Sequence, residues 1–412
     1  MDIKEKIAQA NEKTVHMLMD SDPVWVDMKP AIECVDGLED HMILHSGPPI
    51  AYEDMTMLHK RGMVSAMLFE GWAKDEEEAV KRLKAGEIKI SSALDHNTVG
   101  AGTGIITKSV VLNVVEDRHN HTVAATFPAE GPFQGGFCGW GLYSKEIAEN
   151  LRYMREELFP PMVEALHKLG GIPIKPILAE SMQMGDENHT RQTACDYIYD
   201  RLMLPALFEL DRPKKEIMKT VRYIVDTPRF FHCYGAALVA ADGTEYSTMV
   251  TAVCGNGVEF GIKIASLPGQ WFTAPAPMMK GRYTSSEFTE KDQLPWMGDS
   301  CVVECYGMGG FAAAASPIVC NLRGMTLKES IGQTKEMYRI TMEKNYNFPI
   351  PNLDFDFLPV GIDIRKVLKE GVCPAIHGGM FNRVGGLIGA GMARVPMQCF
   401  EKALVAFGEK YL

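Results

Sequence analysis

Asn256-Gly257 restricts this chain more than any other pair of residues. It lies between two β-prone runs, residues 248–254 and 258–264. A two-residue Asn-Gly link supplies the positive φ angles of a turn whose twist matches paired strands, so a hairpin is expected there. Chain order then sorts around it. Residues 2–20 carry a mixed-charge amphipathic helix pattern that ends at the Ser21-Asp22-Pro23 breaker. Residues 42–44 are a short apolar run before the loop His45-Ser46-Gly47-Pro48-Pro49, and residues 63–69 suit a buried strand or a helix end. Asp75 is an N-cap, Glu78 follows three residues later, and Gly86 is the stop. Residues 88–90 and 110–115 read as strands.

Apolar run, helix and strand in that order predict an α/β domain with parallel strands over 1–143. Residues 147–169 (interrupted by Pro160-Pro161), 177–184 and 193–210 predict a helical domain over 144–243. The remainder, 244–412, is expected to be a mixed α+β domain with glycine-rich loops. In it a helix is expected over 326–345, followed by a Pro- and aromatic-rich connector at 347–359. The fold class is therefore α/β and α+β multidomain. Another glycine-rich patch spans 131–141, and residues 371–391 hold seven glycines, too many for a helix interior. Loops near a ligand and closely packed backbones explain the 371–391 density equally well.

A net charge of −11 argues against broad nucleic-acid or anionic-membrane binding. No apolar run reaches the roughly 18 residues of a membrane span. The first twenty residues lack the apolar core of a secretory signal, so a cytoplasmic protein is expected. The ten cysteines include no CxxC pair, and most sit in apolar runs as core thiols would. No HExxH, GxSxG or P-loop pattern is present.

Three polar, glycine-rich stretches remain. In 297–317, MGDSCVVECYGMGGFAAAASP, Gly307, Gly309 and Gly310 let backbone N–H groups approach an anion, beside Asp299, Ser300 and Glu304. A tight turn into a buried alanine helix reads as well. In 95–104, Gly100, Gly102 and Gly104 imitate a nucleotide fingerprint, but a strand follows where a helix is required. What is left is a polar loop offering Asp95, His96 and Asn97. In 184–191, Asp186, His189 and Arg191 meet at a helix junction, where a capped, solvated turn is the plain alternative. Arg191, Arg365 and Arg394 lie beside such loops, and planar guanidinium forks suit carboxylate and phosphate. The set fits a transferase acting on small anions, and a binding subunit equally.

HSGPP (45–49), LFEGWAKDE (68–76), DHNTVGAGTGIIT (95–107), MGDENHTR (184–191), NGVEFGI (256–262), WFTAP (271–275), MGDSCVVECYGMGG (297–310), GIDIR (361–365) and GLIGAGMARVPMQCFEKAL (386–404) together resemble the AllG family, in order and over almost the whole chain. The resemblance implies one subunit of oxamate carbamoyltransferase, working with an FdrA-like (AllF) subunit and an AllH subunit. It implies phosphorolysis of oxalurate to oxamate and carbamoyl phosphate late in anaerobic allantoin and purine breakdown. No cofactor is expected; phosphate is the co-substrate, a metal requirement is left open, and so is a homodimer. On that reading His96 or His189 polarises the carbonyl or protonates the leaving nitrogen, and Asp186 and Asp299 orient the donors or hold a cation. Asn97, Gly100, Gly102, Asn256, Ser300, Glu304, Gly309 and Gly310 contact substrate or phosphate, with Arg191, Arg365 and Arg394 as anion clamps. The alternatives are a scaffold subunit without chemistry of its own and a transferase for another ureido or acyl substrate.

Overall fold

The computed structural model describes residues 2–130, 136–226 and 241–412. The first five residues of the 131–141 glycine patch lie outside that set. The N-terminal helix, Ile3–Asp20, opens on a capping box in which Asp2 and Glu5 exchange side-chain-to-backbone hydrogen bonds. Pro23 cannot continue it and begins a strand, Pro23–Pro30. That strand runs antiparallel to Val111–Asp117 in a five-stranded sheet, ordered Thr98–Val99, Thr122–Thr126, Val111–Asp117, Pro23–Pro30, Ile172–Pro173.

A parallel pair does form, but between Met42–His45 and Lys89–Ser92 rather than from the 63–69 run. Between these strands run the helices Met57–Glu70 and Glu76–Lys84. The 63–69 run belongs to the first of them. Asp75 caps the second through the Glu78 N–H, and Gly86 follows at φ +69°. The helical middle is Lys145–Tyr153, a π-helical turn Met154–Leu158, then Phe159–Leu169, Ile174–Gln183, Thr193–Phe208 and Lys214–Asp226. Pro160 and Pro161 fall in the first turn of Phe159–Leu169, where their missing N–H groups cost least.

The expected hairpin forms, Val250–Asn256 pairing antiparallel with Glu259–Ile264, but Asn256 ends the first strand and the link is Gly257-Val258. Asn256 Oδ1 accepts from the Val258 and Glu259 N–H groups, and Gly257 sits at φ +80°. Phe272–Pro275 and Met297–Gly298 complete a four-stranded sheet.

Two expectations fail. The helix begun at Thr326 ends at Met337, and Thr341–Ile350 is a strand antiparallel to Asp356–Ile362. The 326–345 helix and the 347–359 connector are thus a shorter helix followed by a strand pair. Thr341, Tyr346, Phe348 and Ile350 are residues that favour a half-buried pleated surface, and pairing overrides any helical pattern. The 371–391 stretch forms strands Ala375–Phe381 and Leu387–Arg394, joined to Lys280–Tyr283. Its glycines serve close backbone packing: a Cβ on Gly389 would lie 2.3 Å from the Arg282 carbonyl oxygen.

Two cores result. The smaller draws on residues between Ala31 and Cys138 with Ala148. The larger mixes the N-terminal helix, the helical middle and the C-terminal strands, from Ile7 to Phe407. No helix among the described residues is long and apolar enough to cross a membrane. The nine described cysteines are free thiols, seven of them buried.

Candidate functional site

Four acids in or near the glycine-rich stretches are fully or almost fully buried, and each accepts hydrogen bonds from the chain itself. Asp299 Oδ1 accepts from the Gly47 N–H at 2.6 Å, and Oδ2 from the Gly100 N–H at 3.1 Å. Glu130 takes the Cys138 and Gly139 N–H groups, both at 3.0 Å. Glu187 takes the Thr190 and Arg191 N–H groups at 2.9 and 3.0 Å. Glu304 Oε1 accepts from His189 Nδ1 (2.9 Å), the Gly310 N–H (3.0 Å) and the His377 N–H (2.9 Å). The N–H cradle offered by Gly309-Gly310 is therefore filled by an internal carboxylate. The alanine run after it is a buried 3-10 turn, Gly309–Ala315, rather than a helix start open to an anion.

The candidates divide between separate neighbourhoods. Asp299 and Gly100 meet at the 45–49 loop, where Gly102 receives the Ser46 hydroxyl and Asn256 donates to the Pro48 carbonyl. Burial pushes Asp299 up to about 7 despite its backbone donors. His45 and His59 pack edge-to-face beside this loop, and burial lowers them to about 4 and about 3. His96 lies apart: its Nδ1 is at 2.7 Å from the Asp36 carbonyl and its Nε2 at 3.0 Å from Ser91 Oγ. Asn97 is exposed in a left-handed conformation, φ +51°. Ser300 is half-buried in the turn whose carbonyl accepts from Val303. Arg365 is tied to Asp363 and Thr248, under the N-terminal helix.

The second neighbourhood gathers Asp186, Arg191, His189, Glu304, Gly309 and Gly310. Asp186 binds Arg191 Nη1 and the Cys195 N–H, and burial raises its pKa. Gly309, at φ +56°, could not carry a side chain, because its Cβ would come within 2.2 Å of Glu304 Oε1. A carboxylate oxygen only accepts, so His189 Nδ1 carries a proton and its ring is oriented by Glu304. The His189 ring also meets Trp296 edge-on at 6.4 Å.

Sequence reading missed four members of this group: Glu187, Arg323, Gln333 and His377. Gln333 Nε2 donates to the Gly310 carbonyl (2.8 Å) and lies 2.9 Å from His377 Nε2. Both amide hydrogens are then used, so His377 Nε2 accepts and its proton sits on Nδ1, which faces Glu187 Oε1 at 3.8 Å. Burial and the nearby Arg323 hold His377 down at about 3, as a neutral ring. Burial opposes the charge on Glu187, but His377 and Arg323 outweigh it and keep its pKa well below the usual carboxylate range. Arg323 donates Nε to the Gly391 carbonyl and Nη2 to Thr190 Oγ1. Glu187 stands next to the three candidates of its own loop. His377, amid an apolar strand pattern, is the other member with a sequence signal.

Arg323 and Gln333 also floor a cleft of about 570 Å³, with Lys280, Met325, Met392 and Arg394 among its walls. Arg394 is paired with Glu336 there, at 2.5 Å. Among the described residues no group of three metal-ligating side chains gathers.

The family model described as oxamate carbamoyltransferase subunit AllG matches residues 88–300. The Escherichia coli K12 protein named oxamate carbamoyltransferase subunit AllG is 34% identical, over 98% of both chains. This chain belongs to the AllG family. A second E. coli K12 relative, the uncharacterized protein YahG, is 33% identical over 99% of this chain and 88% of its own length. Among solved structures, a conserved protein of unknown function from Enterococcus faecalis V583 superposes with a TM-score of 0.95, at 32% identity and over the full length of both chains. The buried carboxylate–histidine group thus sits in an AllG-family fold, and its 184–191 loop lies inside the matched region.

Proposed function

We propose that this chain is a subunit of a cytoplasmic oxamate carbamoyltransferase that phosphorolyses oxalurate, in anaerobic allantoin and purine breakdown, together with AllF-like and AllH-like subunits. The observation that carries the reading is the end-to-end match to the E. coli AllG subunit. In the reaction a phosphate oxygen attacks the ureido carbonyl carbon of oxalurate. The bond from that carbon to the oxamate nitrogen breaks, the nitrogen takes up a proton, and carbamoyl phosphate leaves. A positioned imidazole is suited to supply that proton near neutral pH. His189, whose Nδ1 is hydrogen-bonded to Glu304, is the histidine assigned the task in this reading. His96 has both ring nitrogens engaged in local tethers, which suits a structural role.

One observation favours a scaffold role as a second reading: Glu304 and His377 are wholly buried in the isolated chain, and His189 is 6% exposed. The test measures carbamoyl phosphate formed from oxalurate and phosphate by the chain alone and by the chain co-expressed with its two partners. Activity confined to the complex is expected. In that complex His189→Gln should lower kcat at least 100-fold, while full activity in the variant would leave the scaffold reading. No carbamoyl phosphate in either preparation would remove oxalurate as the substrate.

A further inference from the structure

Two helices of the smaller core enclose a groove of about 610 Å³ on their outer side. The Met57–Glu70 helix lines it with Met57, Val64 and Leu68, and the Glu76–Lys84 helix with Glu76, Val80 and Lys84. Within each set the spacing places the residues on one helix face. Both helices turn their other faces inward, through Met63 and Met67 and through Ala79 and Leu83. A surface helix ordinarily has one apolar stripe, and that stripe is buried. Here a second stripe stays uncovered: Met57 is 64% exposed, and Val64, Leu68 and Val80 are half-buried.

The charges on the second helix decide what fits. Glu76 stands one turn before Val80 and Lys84 one turn after it, on the same face. Both are exposed, and neither has an ion-pair partner among the described residues. The other cations of the groove are committed, Lys60 to the Glu53 carbonyl and Arg61 to the Val384 carbonyl. An acid and a base spaced equally about a valine are complementary to the same face run antiparallel. A two-fold axis beside Val80 brings the two Val80 side chains together and sets each Glu76 opposite the Lys84 of the other copy. We propose that this groove is the interface of a homodimer, in which two Glu76–Lys84 helices cross antiparallel and the Met57, Val64 and Leu68 stripes close over one another. An acidic partner helix would be opposed by Glu76 and a basic one by Lys84. An apolar small molecule would leave both charges unpaired. No part of this inference uses the carbamoyltransferase reading.

The experiment is sedimentation velocity of the full chain over a concentration series, at low and at high salt. A dimer is expected, weaker at high salt because its ion pairs lie at the surface. Glu76→Lys or Lys84→Glu alone sets like charges opposite each other on both sides of the axis, and each should weaken the dimer at least roughly tenfold. The double variant Glu76→Lys with Lys84→Glu should restore it to within about threefold. Those positions lie about 12 Å apart along one helix, so restoration has to act between chains. It cannot come from a better helix, because the swapped charges oppose the helix dipole. Val80→Glu puts two carboxylates on the axis and should leave monomers, with circular dichroism showing that the chain is folded. The two exposed charge positions carry the test if Val80→Glu does not fold. The interface is overturned if the native chain is a monomer throughout, if folded Val80→Glu stays dimeric, or if the double variant is as weak as the single ones. A monomeric native chain whose Val80→Glu variant no longer copurifies with co-expressed AllF-like or AllH-like subunits gives the groove to them and removes the homodimer. A dimer that behaves as expected while no preparation forms carbamoyl phosphate leaves the interface and removes the reaction; turnover by a complex whose isolated chain is always monomeric does the reverse.

Discussion

The acids beside glycines carry both what the sequence told correctly and what it could not tell. Asp299 and Glu304, read from sequence as neighbours of an anion cradle, and Asp186, read as part of a polar helix junction, themselves accept from backbone N–H groups. A backbone N–H aimed at an oxygen looks the same whether that oxygen belongs to a substrate or to a residue far along the chain. Only folding shows that Glu304 itself fills the cradle six residues further on. Histidines at this scale also set the response to pH. Unfolded, His45 and His59 take protons near pH 6.5; folded, burial lowers them to about 4 and about 3. Their neutral rings contribute stability above pH 6.5 that is lost as pH falls through those values. Asp299, raised to about 7, acts oppositely: its contribution is full below pH 3.8 and fades as pH rises through 7. His59→Gln should therefore flatten the acid side of the stability curve, by up to about 1.4 kcal/mol per pH unit below 6.5, in urea unfolding series at pH 7, 6, 5 and 4.

Elements with a local cause were legible: the Asn-Gly hairpin, the Asp75 cap and the helix start at Thr326. Those decided by a distant partner were not. Residues 341–345 become strand because Asp356–Ile362 lies alongside, and the 371–391 glycines pack as strands because Lys280–Tyr283 presses against them. Glycines of one element can be separated by experiment. Gly332, in the Leu327–Met337 helix, would meet nothing within 4 Å with a Cβ, so Gly332→Ala should raise stability by about 0.5–1 kcal/mol. Gly309→Ala places a Cβ against Glu304 at a positive φ and should lower it by about 2 kcal/mol or more. Chemical unfolding of both variants checks the pair; equal effects would show that the carboxylate cradle is not held rigidly.

Across the whole molecule the ends of the chain are tied together by polar groups as well as by the larger core. Asn11 of the N-terminal helix donates to Thr248 Oγ1 at 2.8 Å and to Asp363 Oδ2 at 3.3 Å, and its Oδ1 accepts from the Thr248 N–H at 2.8 Å. Sequence shows Asn11 only as a polar residue in an amphipathic helix, since no local pattern marks a partner in the last fifth of the chain. Asn11→Ala should cost about 2–3 kcal/mol by stranding those buried groups, measured as a shift in the urea midpoint at constant slope. The same ties matter for the order of events at the ribosome. Asn11 emerges early, but Asp363 follows it by 352 residues, and Gly47 waits 252 residues for Asp299. For most of translation the amphipathic first helix has no groove to enter and the 45–49 loop has nothing to hang on. Nascent chains stalled before residue 299 should therefore be cut readily by proteases within their first fifty residues, and chaperones that shield apolar helices have a long interval in which to engage them.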